Sequence, residues 1–123
     1  MADDNRVLIV MTSGPDTPRR CATPFFFATL AAAMDNDVTM FFTIDGTLLL
    51  KKGLAETIYP KKGGQPASYF RREALEAGVK MIACTASTDL HDLKPEDLIP
   101  EVKMGGGATM LELAEEATTV LTF

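Results

Sequence analysis

A chain of 123 residues, 46% hydrophobic and 24% charged, has the size and apolar content of one globular domain with a real core, so a single domain over residues 1–123 is expected. Twelve Lys and Arg against seventeen Asp and Glu give a formal charge of -5, which argues against nucleic-acid binding through the overall field and for small-molecule or protein partners. The acidic start around Asp3 and Asp4 lacks a signal-peptide pattern, and no apolar run approaches the roughly 20 residues of a membrane span, so a cytoplasmic protein away from membranes is expected.

Arg6 to Met11 is a β-rich apolar run followed by Thr12-Ser13-Gly14-Pro15, and reads as a central strand leading into a loop. Thr17-Pro18 and Thr23-Pro24 both carry a helix-start signal, which leaves open one helix kinked at Pro24 or a loop containing Cys21. Phe25 to Met34 is a helix that is apolar nearly all round. One side can cover a sheet, and the other is expected to meet another subunit. Val38 to Phe42 supplies the second strand, and Gly46 to Lys52 a short helix with Asp45 as N-cap.

Glu56 to Gln65 reads as an exposed loop. Pro66 to Glu76 is a helix with Tyr69, Phe70, Ala74 and Leu75 toward the core, Arg71, Arg72, Glu73 and Glu76 toward water, and Gly78 as its C-cap. Val79 to Cys84 is a buried strand that ends on a thiol and turns into the small polar run Thr85-Ala86-Ser87. A short helix over Thr85 to Leu93, a capped turn over Lys94 to Pro100 and a strand over Glu101 to Met104 follow. Gly105 to Gly107, a helix over Ala108 to Ala117 and a strand over Thr118 to Thr122 close the chain. This alternation predicts an α/β fold of the flavodoxin-like, three-layer kind: a mainly parallel five-stranded sheet with helices on both faces.

In such sheets ligands meet the corners after the carboxyl ends of strands, which makes Cys84 the leading candidate for chemistry. A helix N-terminus and its free amides would favour the thiolate, the reactive form, whereas a purely structural cysteine finishing a buried strand is the alternative. Cys21, beside Arg19 and Arg20, reads more readily as a buried helix-face residue, and His91 as a solvated side chain unless the following helix folds back on Cys84. The two cysteines and the single histidine form neither a CxxC pair nor a ligand set, so no metal and no cofactor is expected. The three glycines at 105–107 fit close packing better than a phosphate cradle. The Thr12 to Asp16 loop could line the pocket, and Lys51, Lys52, Lys61 and Lys62 read as solvated lysines that could also add charge at the rim.

Three stretches together resemble the DsrE/DsrF-like, sulfurtransferase-related family. They are Ala22 to Met34, Val38 to Lys52 with its Phe-Phe-Thr-Ile-Asp-Gly-Thr-Leu-Leu-Leu-Lys-Lys run, and Val79 to Leu90 around Cys84. The tail from Leu93 to Leu113, with Pro-Glu-Asp-Leu-Ile and Gly-Gly-Gly-Ala-Thr, is similar to that family as well. The resemblance implies an oligomeric α/β protein, a homo-oligomer of two, three or six copies here, whose strand-end cysteine, matching Cys84, accepts sulfane sulfur as a persulfide. It further implies exchange with a TusA-like sulfur carrier protein, and it looks closer to the single-chain type linked to sulfur oxidation than to tRNA-modification subunits. No cysteine follows Cys84, so a two-thiol mechanism within that loop lacks its second thiol.

Overall fold

Five short strands form one sheet: β1 (Arg6–Met11), β2 (Asp37–Phe42), β3 (Lys80–Cys84), β4 (Lys103–Gly105) and β5 (Thr119–Thr122). They lie in the order β4-β3-β2-β1-β5, and every neighbouring pair is parallel. The computed structural model describes residues 5–123, so Asp3 and Asp4 lie outside the described residues. Each crossover from β1 to β4 steps one strand in the same direction, and the last returns the chain to the free edge of β1. A parallel sheet of this kind requires helical crossovers and cover on both faces, which the sequence alternation anticipates.

The helices are α1 (Thr23–Ala33), α2 (Ala67–Glu76), α3 (Thr85–Leu90) and α4 (Gly107–Glu116). Side-chain alternation along the strands sorts the core into two layers. Val7, Ile9, Met11, Val38, Met40, Phe42, Met81 and Ala83 face α1 and α2, whose Phe25, Ala28, Ala67 and Ala74 are fully buried against them. Leu8, Val10, Phe41, Ile82 and Cys84 face the other way, toward Met110, Leu113 and Ala114 of α4. The three-layer expectation is met. Phe25 and Phe42 tilt together with ring centroids 5.8 Å apart, a contact worth about 0.5–1.5 kcal/mol beyond burial, and fasten α1 to the carboxyl end of β2.

Several local expectations are corrected. Of the two alternatives left open here the loop is found: Pro18–Arg20 is a separate 3-10 turn and α1 begins at Thr23, so Cys21 lies in the connection between them. The segment expected as a helix from Gly46, capped by Asp45, is a 3-10 helix spanning Ile44–Leu50, and Thr43 holds the N-cap position. Asp45 therefore lies in its first turn, and Gly46 inside it sits where a Cβ would collide with the Met11 carbonyl. Arg71, expected in water, is 7% exposed: its Nη1–H donates to the Leu49 carbonyl at 2.7 Å, and Nη2 lies 3.7 Å from Glu56. A long stem under an apolar layer with its guanidinium satisfied explains that burial.

On α1 the residues turned away from the sheet remain apolar. Phe26, Phe27, Leu30 and Met34 are exposed, Met34 by 73%, and Phe27 meets Phe123 edge-on at 5.9 Å.

Candidate functional site around Cys84

Cys84 is the last residue of β3, and its alternation places it on the α4 face beside Leu8, Val10 and Phe41. Backbone angles of φ -69 and ψ 121 make it the N-cap of α3, and only 7% of it is exposed. Ser87 is therefore the third residue of that helix, the position whose amide and side chain fold back toward the cap. Pairing of β2 with β3 brings the carboxyl end of β2 to the same corner. There Thr43 donates its N–H to the Met11 carbonyl at 3.0 Å, extending the line of β2 beyond the strand.

The chain then turns sharply. Ile44 has φ 53, a left-handed backbone that is rare for a β-branched residue and costs on the order of 1–3 kcal/mol. Its side chain is 50% exposed, so core packing does not account for the strain. The backbone contacts do. The Ile44 N–H donates to Ser87 Oγ at 2.6 Å, Thr43 Oγ1 and Ser87 Oγ lie 3.0 Å apart, and the Thr47 hydroxyl donates to the Ile44 carbonyl at 2.9 Å. Gly46 abuts Met11, and Gly14 abuts Asp45 so closely that a Cβ on either would strike backbone.

These contacts gather the Thr43 and Ser87 hydroxyls at the corner where Cys84 ends β3. Burial alone pushes its thiol up. The Ser87 amide, the Ser87 and Thr43 hydroxyls and the Ala86 amide together outweigh that, and hold it below the ordinary value of 9.0. No cap hydrogen bond to the sulfur is formed in this conformation. A helix of six residues has little macrodipole of its own, which leaves these individual donors as the dominant influence.

Cys21 presents the opposite environment. It is fully buried and its thiol donates to the Gly14 carbonyl at 3.3 Å and the Thr17 carbonyl at 3.4 Å. Burial pushes it up to about 11. Arg19 and Arg20 do not activate it. His91 caps the far end of α3, and its Nε2 lies 3.2 Å from Asp45 Oδ1, a close contact without the alignment of a hydrogen bond. It thus braces the turn that carries Ile44.

Among the other sequence candidates, the Thr12 hydroxyl donates to the Phe123 carbonyl at 2.7 Å, so that loop ties down the end of β5. Lys51, Lys52, Lys61 and Lys62 are exposed and form no ion pair among the described residues. Gly105 is a packing glycine, because a Cβ would press on Ile82 Cγ2 at 2.8 Å. Among the described residues no cluster of His, Cys, Asp and Glu could hold a metal ion. A cleft of about 470 Å³ between the strands and the end of α4 is lined by Arg6, Asp37, Lys80 and Lys103 among others. It opens at the amino ends of the strands, the opposite edge from Cys84.

The sequence pattern of the DsrE/DsrF-like family matches residues 5–123. The chain belongs to the DsrE/DsrF-like family. Among similar proteins, the sulfur carrier protein DsrE2 of Allochromatium vinosum is 29% identical, the match covering 80% of this chain and 86% of that protein. The uncharacterized protein YrkE of Bacillus subtilis is 27% identical over 94% of this chain and 95% of its own length. Among solved structures, the ychN protein of E. coli superposes with a TM-score of 0.81 at 19% identity, covering 97% of this chain and 99% of that one, which shows a shared fold. No helix of this DsrE/DsrF-like protein among the described residues is long and apolar enough to cross a membrane.

Thr43 and Ser87 are the site residues that the sequence reading misses. Ser87 carries a usable signal, because a cap residue and a hydroxyl three positions later form the spacing of a capping box. Thr43 carries none, since it arrives from another strand.

Proposed function

We propose that this DsrE/DsrF-like chain is a sulfur carrier that holds sulfane sulfur as a persulfide on Cys84. The observation that carries the reading is a thiol at a strand end, held low by four surrounding donors, in a chain whose relative DsrE2 is a sulfur carrier. The Cys84 thiolate attacks the outer sulfur of a donor persulfide. The donor's S–S bond breaks, a new S–S bond forms to Cys84, and the donor leaves as a thiolate. The proton stays on the outer sulfur or passes to the departing thiolate, and there is no net oxidation. Unloading is the same exchange in reverse, with an acceptor thiolate attacking the outer sulfur. Where the donor cysteine already carries a thiosulfonate, the same attack on its sulfane sulfur moves the whole S–SO3 group to Cys84 and the donor leaves as a thiolate, again with no net oxidation.

In this reading the acceptor or donor is a TusA-like sulfur carrier protein in cytoplasmic sulfur oxidation, since no second thiol follows Cys84. Whether the protein turns over as a sulfurtransferase or loads once per encounter depends on that partner. Neither metal nor organic cofactor enters the exchange. The apolar outer side of α1, with Phe26, Phe27, Leu30 and Met34 exposed, supports a homo-oligomer joined through that helix. Phe26→Asp is expected to lower the mass seen by sedimentation, and a wild-type monomer at micromolar concentration would remove the oligomer from the account.

The competing reading, a binding or regulatory module of the same fold with a structural Cys84, draws on the 7% exposure of that residue. Intact-mass spectrometry after polysulfide or thiosulfate treatment separates the two. The carrier reading predicts an adduct of one sulfur atom, or of a thiosulfonate, that disappears in Cys84→Ser and persists in Cys21→Ser. Absence of any adduct on the folded wild-type chain rejects it.

A further inference from the structure

The structure assigns Thr43 and Ser87 to the Cys84 site as a hydrogen-bonded hydroxyl pair that offers one proton to its sulfur, with the Ile44 N–H occupying one side of Ser87 Oγ; we infer this on the carrier reading above. The argument is one of hydrogen-bond inventory. A serine hydroxyl has one proton and two lone pairs. At Ser87 one lone pair is taken by the Ile44 N–H at 2.6 Å, and the partner on the other side is the Thr43 hydroxyl at 3.0 Å. The Ile44 amide cannot accept, so it fixes which side of Ser87 Oγ is occupied by a donor. One of the two hydroxyl protons is then used between Ser87 and Thr43, and the other is left for the Cys84 sulfur.

Ser87 reaches Cys84 because the two stand in the cap and third-residue relation of α3, independently of any charge on the sulfur. Burial strengthens the arrangement, since Ser87 is 6% exposed and water competes little for its hydroxyl. The Ile44 turn is strained, and strain of this sort persists where surrounding structure overdetermines it. Three contacts do so here: Gly46 against Met11, Gly14 against Asp45, and the Thr47 hydroxyl on the Ile44 carbonyl. The shift of the Cys84 thiol below its ordinary value agrees with this geometry.

The titratable and charged groups near this corner are few. His91 and Asp45 face each other on the far side of the turn, Asp89 and Asp92 lie on or just after α3, and Lys51 follows the 3-10 segment. None of them is among the groups that shift Cys84, which leaves the hydroxyls and amides as its environment.

The test is the pH dependence of Cys84 alkylation by iodoacetamide on the full chain, followed by mass spectrometry of the peptide that contains it. Ser87→Ala and Thr43→Val are each expected to move the midpoint up by about one pH unit, roughly tenfold less thiolate at neutral pH. Thr43→Ser keeps the hydroxyl and is expected to restore the wild-type midpoint. Thr29→Val removes a hydroxyl bonded within α1, to the Phe25 carbonyl, and is expected to leave it unchanged. If Ser87→Ala does not fold, the Thr43→Val and Thr43→Ser pair decides alone. Midpoints equal to wild type in folded Ser87→Ala and Thr43→Val overturn the inference. Because alkylation needs no sulfur donor, shifted midpoints in a chain that never takes up sulfur would reject the carrier reading and leave this assignment standing.

Discussion

The two cysteines lie beyond the same edge of one sheet, Cys84 as the last residue of β3 and Cys21 in the connection that follows β1, yet their surroundings are chemically inverted. Around Cys21 the nearest polar groups are carbonyls, of Gly14 and Thr17, which can only accept. Around Cys84 they are amides and hydroxyls, which can donate. A carbonyl shell retains the thiol proton and a donor shell releases it, so burial alone does not sort reactive from inert cysteines. Both residues are buried, and the direction of the neighbouring dipoles separates them.

The sharpest way to break the comparison is to exchange the thiols' oxygen analogues. Cys84→Ser is expected to abolish sulfur loading entirely. Cys21→Ser keeps the donor to Gly14 and Thr17, and is expected to load normally while losing about 1–3 kcal/mol of stability in urea unfolding. Gly46→Ala comes next. Its Cβ meets the Met11 carbonyl, so about 1–3 kcal/mol or more of destabilisation is expected, together with slower alkylation of Cys84 as the turn that orients Thr43 gives way.

A pH prediction follows from the same inversion. Cys21 is raised from 9.0 to about 11 in the folded state, so its contribution is complete below the unfolded value and is lost as pH rises through that window. About 2–3 kcal/mol should disappear there, and the loss should be absent in Cys21→Ala when unfolding is compared on either side of it. Cys84, lowered in the fold, has the opposite sign: its contribution is present above the unfolded value and fades as pH falls through the folded one. The smallest effect is expected at His91. His91→Ala removes a partly exposed contact to Asp45 and should cost less than about 1 kcal/mol, with the Cys84 midpoint moving less than in Thr43→Val.

Much of this was legible in the chain itself because period and punctuation are local signals. The continuous runs Arg6 to Met11 and Val38 to Phe42 announce strands buried on both faces, and Cys84 at the end of the third strand is visible as a corner. The sheet order was not local. Pairing β5 with the outer edge of β1 puts the reversal of strand order there, two strands away from β3, so the general rule for ligand sites in open sheets points to a different crevice from the one that holds the thiol. Arg71 is not legible as buried because a charged residue at helical spacing reads as a solvated face, and only the Leu49 carbonyl that accepts its Nη1–H reveals otherwise. Thr43 was invisible for the same reason: its value lies in a contact across 44 residues of sequence.

The most direct measurement is a side-by-side pH titration of both thiols in the native wild-type chain, by iodoacetamide labelling resolved peptide by peptide under reducing conditions. The account predicts that Cys84 reacts with a midpoint below 9.0 while Cys21 stays unlabelled until pH nears about 11 or the chain unfolds. Equal midpoints, or labelling of Cys21 ahead of Cys84, would contradict it.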